Sequence, residues 1–239
     1  MRILRNRIVG RCGAFVAASM IAAPVTAAVL DGSVDVVSDY RFRGVSLSDR
    51  QPVVDASVDV VQGAWFAGVE AISSARVRSP DRALRDNAEA DVSAGWSRSF
   101  GLLTPAVGVI TYLHPGGGQA PLVEGFASVA GALGPATLTV GANYAPAQAA
   151  VPGGNLYLFT RAAAAVPGTP LTLKAGVGRE AGALAGGRVK LDWSAGVEAR
   201  VLRLVTVGFA YVGNDLPVIA GPLQHSRSDG IEVKAGISF

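Results

Sequence analysis

Beyond residue 28, apolar and polar residues alternate with a period of two through most of the chain. The pattern is clearest over 189–201. Val189, Leu191, Trp193, Ala195, Val197, Ala199 and Val201 fall on one face, and Lys190, Asp192, Ser194, Gly196, Glu198 and Arg200 on the other. A strand sends successive side chains to opposite faces, so this stretch predicts a strand apolar on one side and charged on the other. Twelve segments read this way: 33–44, 52–62, 64–74, 87–100, 103–114, 122–133, 136–145, 155–166, 171–179, 188–202, 204–213 and 229–239. Those at 103–114, 122–133 and 155–166 alternate less cleanly and leave ten strands as an alternative count. Pro105 belongs near a strand start because it has no N–H to give a ladder.

The joins between these segments are themselves patterned. Gly63, Gly101-Leu102, Gly134-Pro135, Pro167–Pro170 and Arg203 are short, whereas 45–51, 75–86, 115–121, 146–154, 180–187 and 214–228 are longer and more polar. Long and short joins alternate, beginning with a long one. Bacterial outer-membrane barrels have short periplasmic turns, longer outer loops and an even number of antiparallel strands. Starting from the periplasm, the first join of such a barrel is an outer loop, as the sequence has it.

Charge parity gives the same reading. Asp35, Asp39, Arg41 and Arg43 share one parity in the first segment, as do Asp55 and Asp59 in the second and Glu89 and Asp91 in the fourth. Lys190, Asp192, Glu198 and Arg200 do so in the tenth, and Glu232 and Lys234 in the last. Each set lies opposite the apolar parity of its segment. A lipid-facing Lys or Arg at the midplane costs about 2–4 kcal/mol, falling to about 0–1 near the interface, where Arg98 is expected. The aromatic residues divide into two sets. Trp65, Trp96, Phe100 and Phe239 fall near one boundary. Tyr40, Phe42, Tyr144, Tyr157, Phe159, Trp193, Phe209 and Tyr211 fall near the other, as interface girdles would. The chain therefore reads as an all-β antiparallel transmembrane barrel spanning 28–239. A soluble β-sandwich or lipocalin-like barrel is the alternative; it calls for larger mid-strand core residues than the Ala and Val found here.

Composition changes the picture once the N-terminus is set apart. The 239 residues include 21 Lys+Arg against 18 Asp+Glu, a formal net charge of +3, and one Cys. Half are hydrophobic and 16% charged, which excludes a disordered chain. One Cys excludes a disulfide framework or a multi-Cys zinc site. Residues 1–27 carry Arg2, Arg5, Arg7 and Arg11, then the apolar run Cys12–Ala23 and the small residues Val25-Thr26-Ala27. This is the pattern of a secretory signal peptide cut after Ala27 or Ala28, and the run is too short for a spanning helix. Cleavage removes four of the 21 basic residues and leaves 17 against 18 acidic. The excess of positive charge belongs to the leader, so the exported chain gives no electrostatic case for binding nucleic acid.

The last segment alternates Ile231, Val233, Ala235, Ile237 and Phe239 with Glu232, Lys234, Gly236 and Ser238. A strand closing on Phe resembles the signal by which the barrel-assembly machinery recognises its clients. In a closed barrel this strand must also pair with the first, because an open edge in lipid strands its backbone groups. The first hairpin carries a more specific likeness. Val37-Ser38-Asp39-Tyr40-Arg41-Phe42-Arg43-Gly44-Val45-Ser46, followed by Pro52-Val53-Val54 and Gly63-Ala64-Trp65-Phe66-Ala67-Gly68-Val69, resembles the TorF family of putative porins. The match covers about the first 45 residues after the leader. Leu47 stands where many members carry a polar residue. The resemblance implies an outer-membrane barrel for passive solute passage and transfers no catalytic residue.

These readings lead to a diffusion channel in the cell outer membrane, with lipid outside and small polar solutes or ions within. Its pore-lining candidates are Asp35, Asp39, Arg41, Arg43, Asp55, Asp59, Glu89, Asp91, Lys190, Asp192, Glu198 and Arg200. Opposite-sign walls set ion preference in pores. The competing reading of the same residues is mutual pairing that fills the lumen, since twelve strands lie between filled eight-stranded barrels and open 16–18-stranded porins. No segment marks itself as a plug. Two other functions stand beside the channel: an adhesive or structural barrel whose loops bind a ligand, and an outer-membrane enzyme using His225 with Asp215 or Asp229. Neither a cofactor nor a metal site is indicated. Gly176–Gly182 does not match G-x-G-x-x-G, and His114 is a single candidate ligand.

Overall fold

The computed structural model describes residues 28–73, 76–77, 85–86, 88–115, 119–216 and 229–239. Twelve antiparallel strands close into one barrel. They are β1 Val29–Val37, β2 Val53–Gln62, β3 Trp65–Ile72, β4 Glu89–Ser97, β5 Leu103–Leu113 and β6 Leu122–Leu133. The wall continues with β7 Ala136–Ala145, β8 Asn155–Ala165, β9 Leu171–Gly182, β10 Arg188–Arg200, β11 Val205–Asn214 and β12 Gly230–Ser238. Each strand pairs with its neighbours in sequence, and β12 returns to β1 in the register Ser33↔Ser238 to Val37↔Lys234. Gly32 and Phe239 exchange backbone hydrogen bonds of 2.9 and 3.0 Å, which extends the closing ladder beyond β12. The three weakly alternating segments are wall strands, and the count is twelve.

Alternation decides what each face meets. Val36, Val58, Val69, Val92, Val109, Val140, Leu158, Val177, Leu191, Val207 and Val233 are exposed on the outer surface of eleven successive or neighbouring staves. Their odd-man neighbours in each strand point inward and are largely buried and polar. A barrel with apolar residues outside and charge inside is built for lipid. Arg98 follows β4 directly and stacks 5.7 Å from the Phe100 ring, and the exposed Arg179 stands close to the end of β9. Both are positions where charge near lipid costs little.

The first segment departs from the sequence expectation. The strand predicted over 33–44 begins earlier, at Val29, and leaves the wall at Val37. Residues 38–52 turn into the lumen, where Arg41–Phe42 and Val45–Ser46 pair as a small hairpin. Its two-residue turn holds Arg43 at φ 48 and Gly44 at φ 80. Positive φ at both central positions is the geometry that matches hairpin twist. At Gly44 it has a second cause, because a Cβ there would lie 2.5 Å from the Gly213 carbonyl oxygen.

The joins follow the expected alternation with one exception. β9 runs on to Gly182, so its connection to β10 shrinks to 183–187, with a 3-10 turn at Ala183–Ala185. That join is no longer than the β8–β9 turn over 166–170. Much of the joins 73–88 and 215–229, and all of 1–27, lies outside the described residues, as does His225.

Candidate functional site

The inward hairpin meets the wall through side chains rather than through a sheet. Arg43 is its centre. The guanidinium is buried, donates to Glu180 Oε1 on β9 at 2.5 Å, and forms a second ion pair with Glu124 on β6. Phe42 and Tyr157 present ring faces to it at 4.6 and 4.3 Å. Both carboxylates have further partners. Tyr112 Oη and Asn143 Nδ2 donate to Glu124 at 3.1 and 3.2 Å, and Lys190 Nζ lies 2.6 Å from Glu180 Oε2. Holding a non-glycine residue in the left-handed region costs about 1–2 kcal/mol. Two charge-assisted pairs in a water-poor setting offset that cost.

The remaining hairpin contacts run round most of the barrel. Tyr40 Oη donates to Glu89 at the start of β4, and Phe42 packs edge-on to Tyr112 of β5 at 5.5 Å. Asn214 Nδ2 on β11 donates to the Gly44 carbonyl at 2.8 Å. Within the segment, Asp39 pairs with Arg41 at 2.7 Å and accepts from Ser46 Oγ at 2.6 Å. Leu47 packs against Val37, Tyr40, Val53 and Ile72, an apolar footing for the hairpin's return strand. Leu47, where the resemblance leads one to expect a polar residue, is apolar because it packs on this cluster.

These contacts correct several expectations. Asp39, Arg41 and Arg43 do not stand on a wall strand; they lie on the hairpin that crosses the lumen. Tyr40 and Phe42 pack inside, and so do Tyr157 and Phe159, which are nearly fully buried on β8 instead of forming an outer girdle. The chain does carry a plug, made from its first long connection. Trp65, Phe100 and Phe239 at the short-turn end remain exposed, as do Tyr144, Phe209 and Tyr211 elsewhere on the outer face.

The other candidates fall in two unlike sectors. On β1–β4, Asp35, Asp55, Asp59, Glu89 and Asp91 occupy inward positions, joined by Asp31 and Glu70. These are all the charged residues of the four strands: seven carboxylates and no Lys or Arg. A cleft of about 10 Å³ beside them is touched by Asp59, Glu70 and Asp91. From β8 to β12 the charges are mixed. Lys174 and Lys234 reach the same carboxylate, Glu198, at 2.5 and 2.9 Å. Asp192 accepts from Tyr157 Oη at 3.0 Å, and Arg161 stacks on Phe159 at 4.4 Å. Lys190 is buried against Glu180, while Arg200 is exposed at the end of β10 rather than set within the lumen.

Beside this second sector lies a cavity of about 100 Å³. It exists because inward positions there are small: Gly176 on β9, Ser194 and Gly196 on β10, and Gly208 on β11 all line it. Sequence reasoning passed over Glu124, Arg161, Lys174, Glu180 and Lys234 as site residues, although their parity marks them as inward. Glu124 and Arg161 sit on strands whose inward faces also carry Phe126, Tyr157 and Phe159, which blurs the alternation.

At the mouth, His114 Nε2 lies 3.2 Å from Glu89 Oε2. The hydrogen bond to Glu89 raises the imidazole pKa above its ordinary value, against a smaller opposing effect of burial. Tyr40, on the hairpin, has its pKa pushed well up by burial and by the neighbouring Glu89 and Asp91 carboxylates. It is held as a neutral donor.

Residues 21–230 match the model of a family described as bacterial protein of unknown function, Gcw_chp. The chain belongs to the Gcw_chp family. No functionally curated protein matches it. Among solved structures, this Gcw_chp barrel is similar to the NanC porin, with a TM-score of 0.56 and 11% identity over 88% of this chain and 98% of that one. It is also similar to an outer-membrane channel of Pseudomonas putida F1, with a TM-score of 0.52 and 9% identity over 91% and 96% of the two chains. At such identities the likeness establishes the fold, that of an outer-membrane barrel, and the apolar outer surface agrees with a place in that membrane.

Proposed function

We propose that this Gcw_chp protein is a passive channel of the outer membrane for small polar solutes or ions, narrowed at one mouth by its first connection. The observation that carries this reading is the cavity of about 100 Å³ beside β8–β12, lined by charged and small residues inside a closed wall. The likeness of the first hairpin to TorF-family putative porins supports the same function. In this reading residues 1–27 are a signal peptide, the long joins face outward, and the hairpin restricts the outer mouth.

The pore-lining set is then redistributed. Arg41 and Arg43 act from the hairpin, and Asp192 and Glu198 from the wall, with Arg161, Lys174 and Lys234 added. Asp35, Asp55, Asp59, Glu89 and Asp91 form the opposite wall and contribute its field. Purified protein in planar bilayers is expected to give discrete conductance steps in simple salt. A folded barrel that gives none under these conditions refutes the channel.

A further inference from the structure

We infer that the lumen of this barrel passes small cations in preference to anions, because carboxylates outnumber basic groups inside the wall by a margin that pairing cannot cancel. This rests on the channel reading above and adds the charge class of the solute to it. Sequence totals hide the margin, since residues 28–239 carry 17 basic and 18 acidic side chains. The fold separates them. Arg50, Arg98, Arg179, Arg188, Arg200 and Arg203 are exposed, in turns or toward strand ends.

On the wall strands and the inserted hairpin segment, the buried and half-buried charges among the described residues are thirteen carboxylates and six cations. The cations are Arg41, Arg43, Arg161, Lys174, Lys190 and Lys234. Seven of the carboxylates are those of β1–β4, and the others are Asp39, Glu124, Glu180, Asp192, Glu198 and Glu232. Protonation of Glu70, Glu89 and Asp91 together would still leave ten against six. The sign of the excess does not depend on any one group.

The basic groups are engaged where they stand. Arg41 pairs with Asp39, Arg43 with Glu124 and Glu180, and Lys190 with Glu180. Lys174 and Lys234 share Glu198, and Asp35 acts on Lys174 as well. The larger cavity is therefore bordered by ion pairs, not by a positive surface. The excess lies with β1–β4, where the described strand residues include no Lys or Arg. Asp91 borders the cleft there with Asp59, Glu70, Ser57 and Ser93; it is 9% exposed, and its Oδ1 is buried with no hydrogen-bond partner. A buried acceptor left without a donor favours a positive species nearby.

Among the described residues, no group of three His, Cys, Asp or Glu side chains is arranged to hold a metal ion, so the preference is one of field and not of chelation. Low-dielectric walls focus such a field along the space they enclose, and acidic linings favour cations in pores. An ion beside β9–β12 meets nearly balanced pairs close by and the carboxylates of β1–β4 across the lumen. Charges acting at that range are screened by salt. The screening length is about 10 Å at 0.1 M and about 3 Å at 1 M.

The test is the reversal potential of the reconstituted protein in KCl gradients, one centred near 0.1 M and one near 1 M. Potassium is expected to be several-fold more permeant than chloride in the dilute gradient, with the ratio falling toward one in the concentrated gradient. Asp55→Asn, Asp59→Asn and Asp91→Asn together are expected to lower the ratio in dilute salt, and heat-modifiable gel mobility checks that this variant is folded. Channels that conduct with equal permeabilities in dilute salt, or that prefer chloride, overturn the inference while leaving the channel standing. So does an unchanged ratio in the folded variant. If the variant does not fold, the salt dependence of the unaltered protein decides, and a ratio that does not fall in concentrated salt contradicts a field set across the lumen. A folded protein with no conductance removes the channel and this inference together.

Discussion

The two sides of the lumen are built from the same alternating strands and differ in what the inward positions carry. β1–β4 present carboxylates with nothing basic among them, and the hairpin closes over that side with Tyr40 bonded to Glu89. β9–β12 present glycine, serine and a shared Lys–Glu–Lys cluster, and the space is there. Charge alone does not make a pore wall; charge next to volume does. A barrel of this size can be filled or open, and small inward residues occur on both sides: Ser57, Gly68 and Ser93 at the acidic cleft, Gly176, Ser194, Gly196 and Gly208 at the larger cavity.

The hairpin divides the sectors, so removing its anchor is the severest way to break the comparison. Arg43→Ala leaves Glu124 and Glu180 buried without their shared cation. Breaking such a pair costs about 3–5 kcal/mol. Unfolding of the variant is expected at a lower denaturant concentration, with a rise in single-channel conductance as residues 38–52 leave the lumen. A stable variant of unchanged conductance contradicts the role given to Arg43.

Filling each sector in turn sharpens the difference. Gly208→Phe puts a ring into the larger cavity and is expected to lower conductance. Ser93→Leu, which crowds the acidic cleft, is expected to cost about 1–3 kcal/mol by overpacking while conductance holds. Equal loss of current from both variants erases the distinction between the two sides.

A smaller effect tests the hairpin's packing. Phe42→Leu loses the edge contact with Tyr112 and one ring face on Arg43, an expected loss of about 1 kcal/mol. A double-mutant cycle with Tyr112→Leu isolates that term in urea unfolding. A coupling energy of zero means the ring contact is incidental.

The smallest expected effect is a titration at the mouth. His114 is raised by its hydrogen bond to Glu89, so its contribution to stability is fully present below the unfolded imidazole value near 6.5 and fades as pH rises through the higher folded value. Glu89→Gln should return the imidazole toward its ordinary range in an NMR titration. A folded-state value at or below that range in the unaltered protein contradicts the contact.

Much of the wall is legible from parity alone, because lipid outside and water-poor charge inside impose opposite demands on adjacent residues. Asp55 and Asp59, or Lys190 and Asp192, declare their face by this rule. The hairpin is not legible, because Asp39, Arg41 and Arg43 also alternate and so imitate a continuation of β1. β1 ends at Val37, and what holds the following segment inside the barrel is tertiary: Arg43, at the hairpin turn, pairs with Glu124 and Glu180 from strands far along the chain. The weak alternation of β5, β6 and β8 has the same origin. Tyr112, Phe126, Tyr157 and Phe159 face inward to form an apolar packing surface, with Tyr112 and Tyr157 directly on the hairpin. Period-two reading registers those residues as noise. They are the imprint of a segment folded back from elsewhere.

The central claim, that the open path runs along β8–β12 rather than along β1–β4, can be tested with single cysteines. The only Cys is Cys12, within the residues 1–27 proposed as a signal peptide, and removal of that segment would leave the mature chain free for labelling. Ser194→Cys lines the larger cavity and Ser93→Cys the acidic cleft. A charged thiol reagent added to open channels should reduce the current of the Ser194→Cys protein and leave that of Ser93→Cys unaltered. Block at Ser93→Cys without block at Ser194→Cys would place the path on the other side and contradict the account.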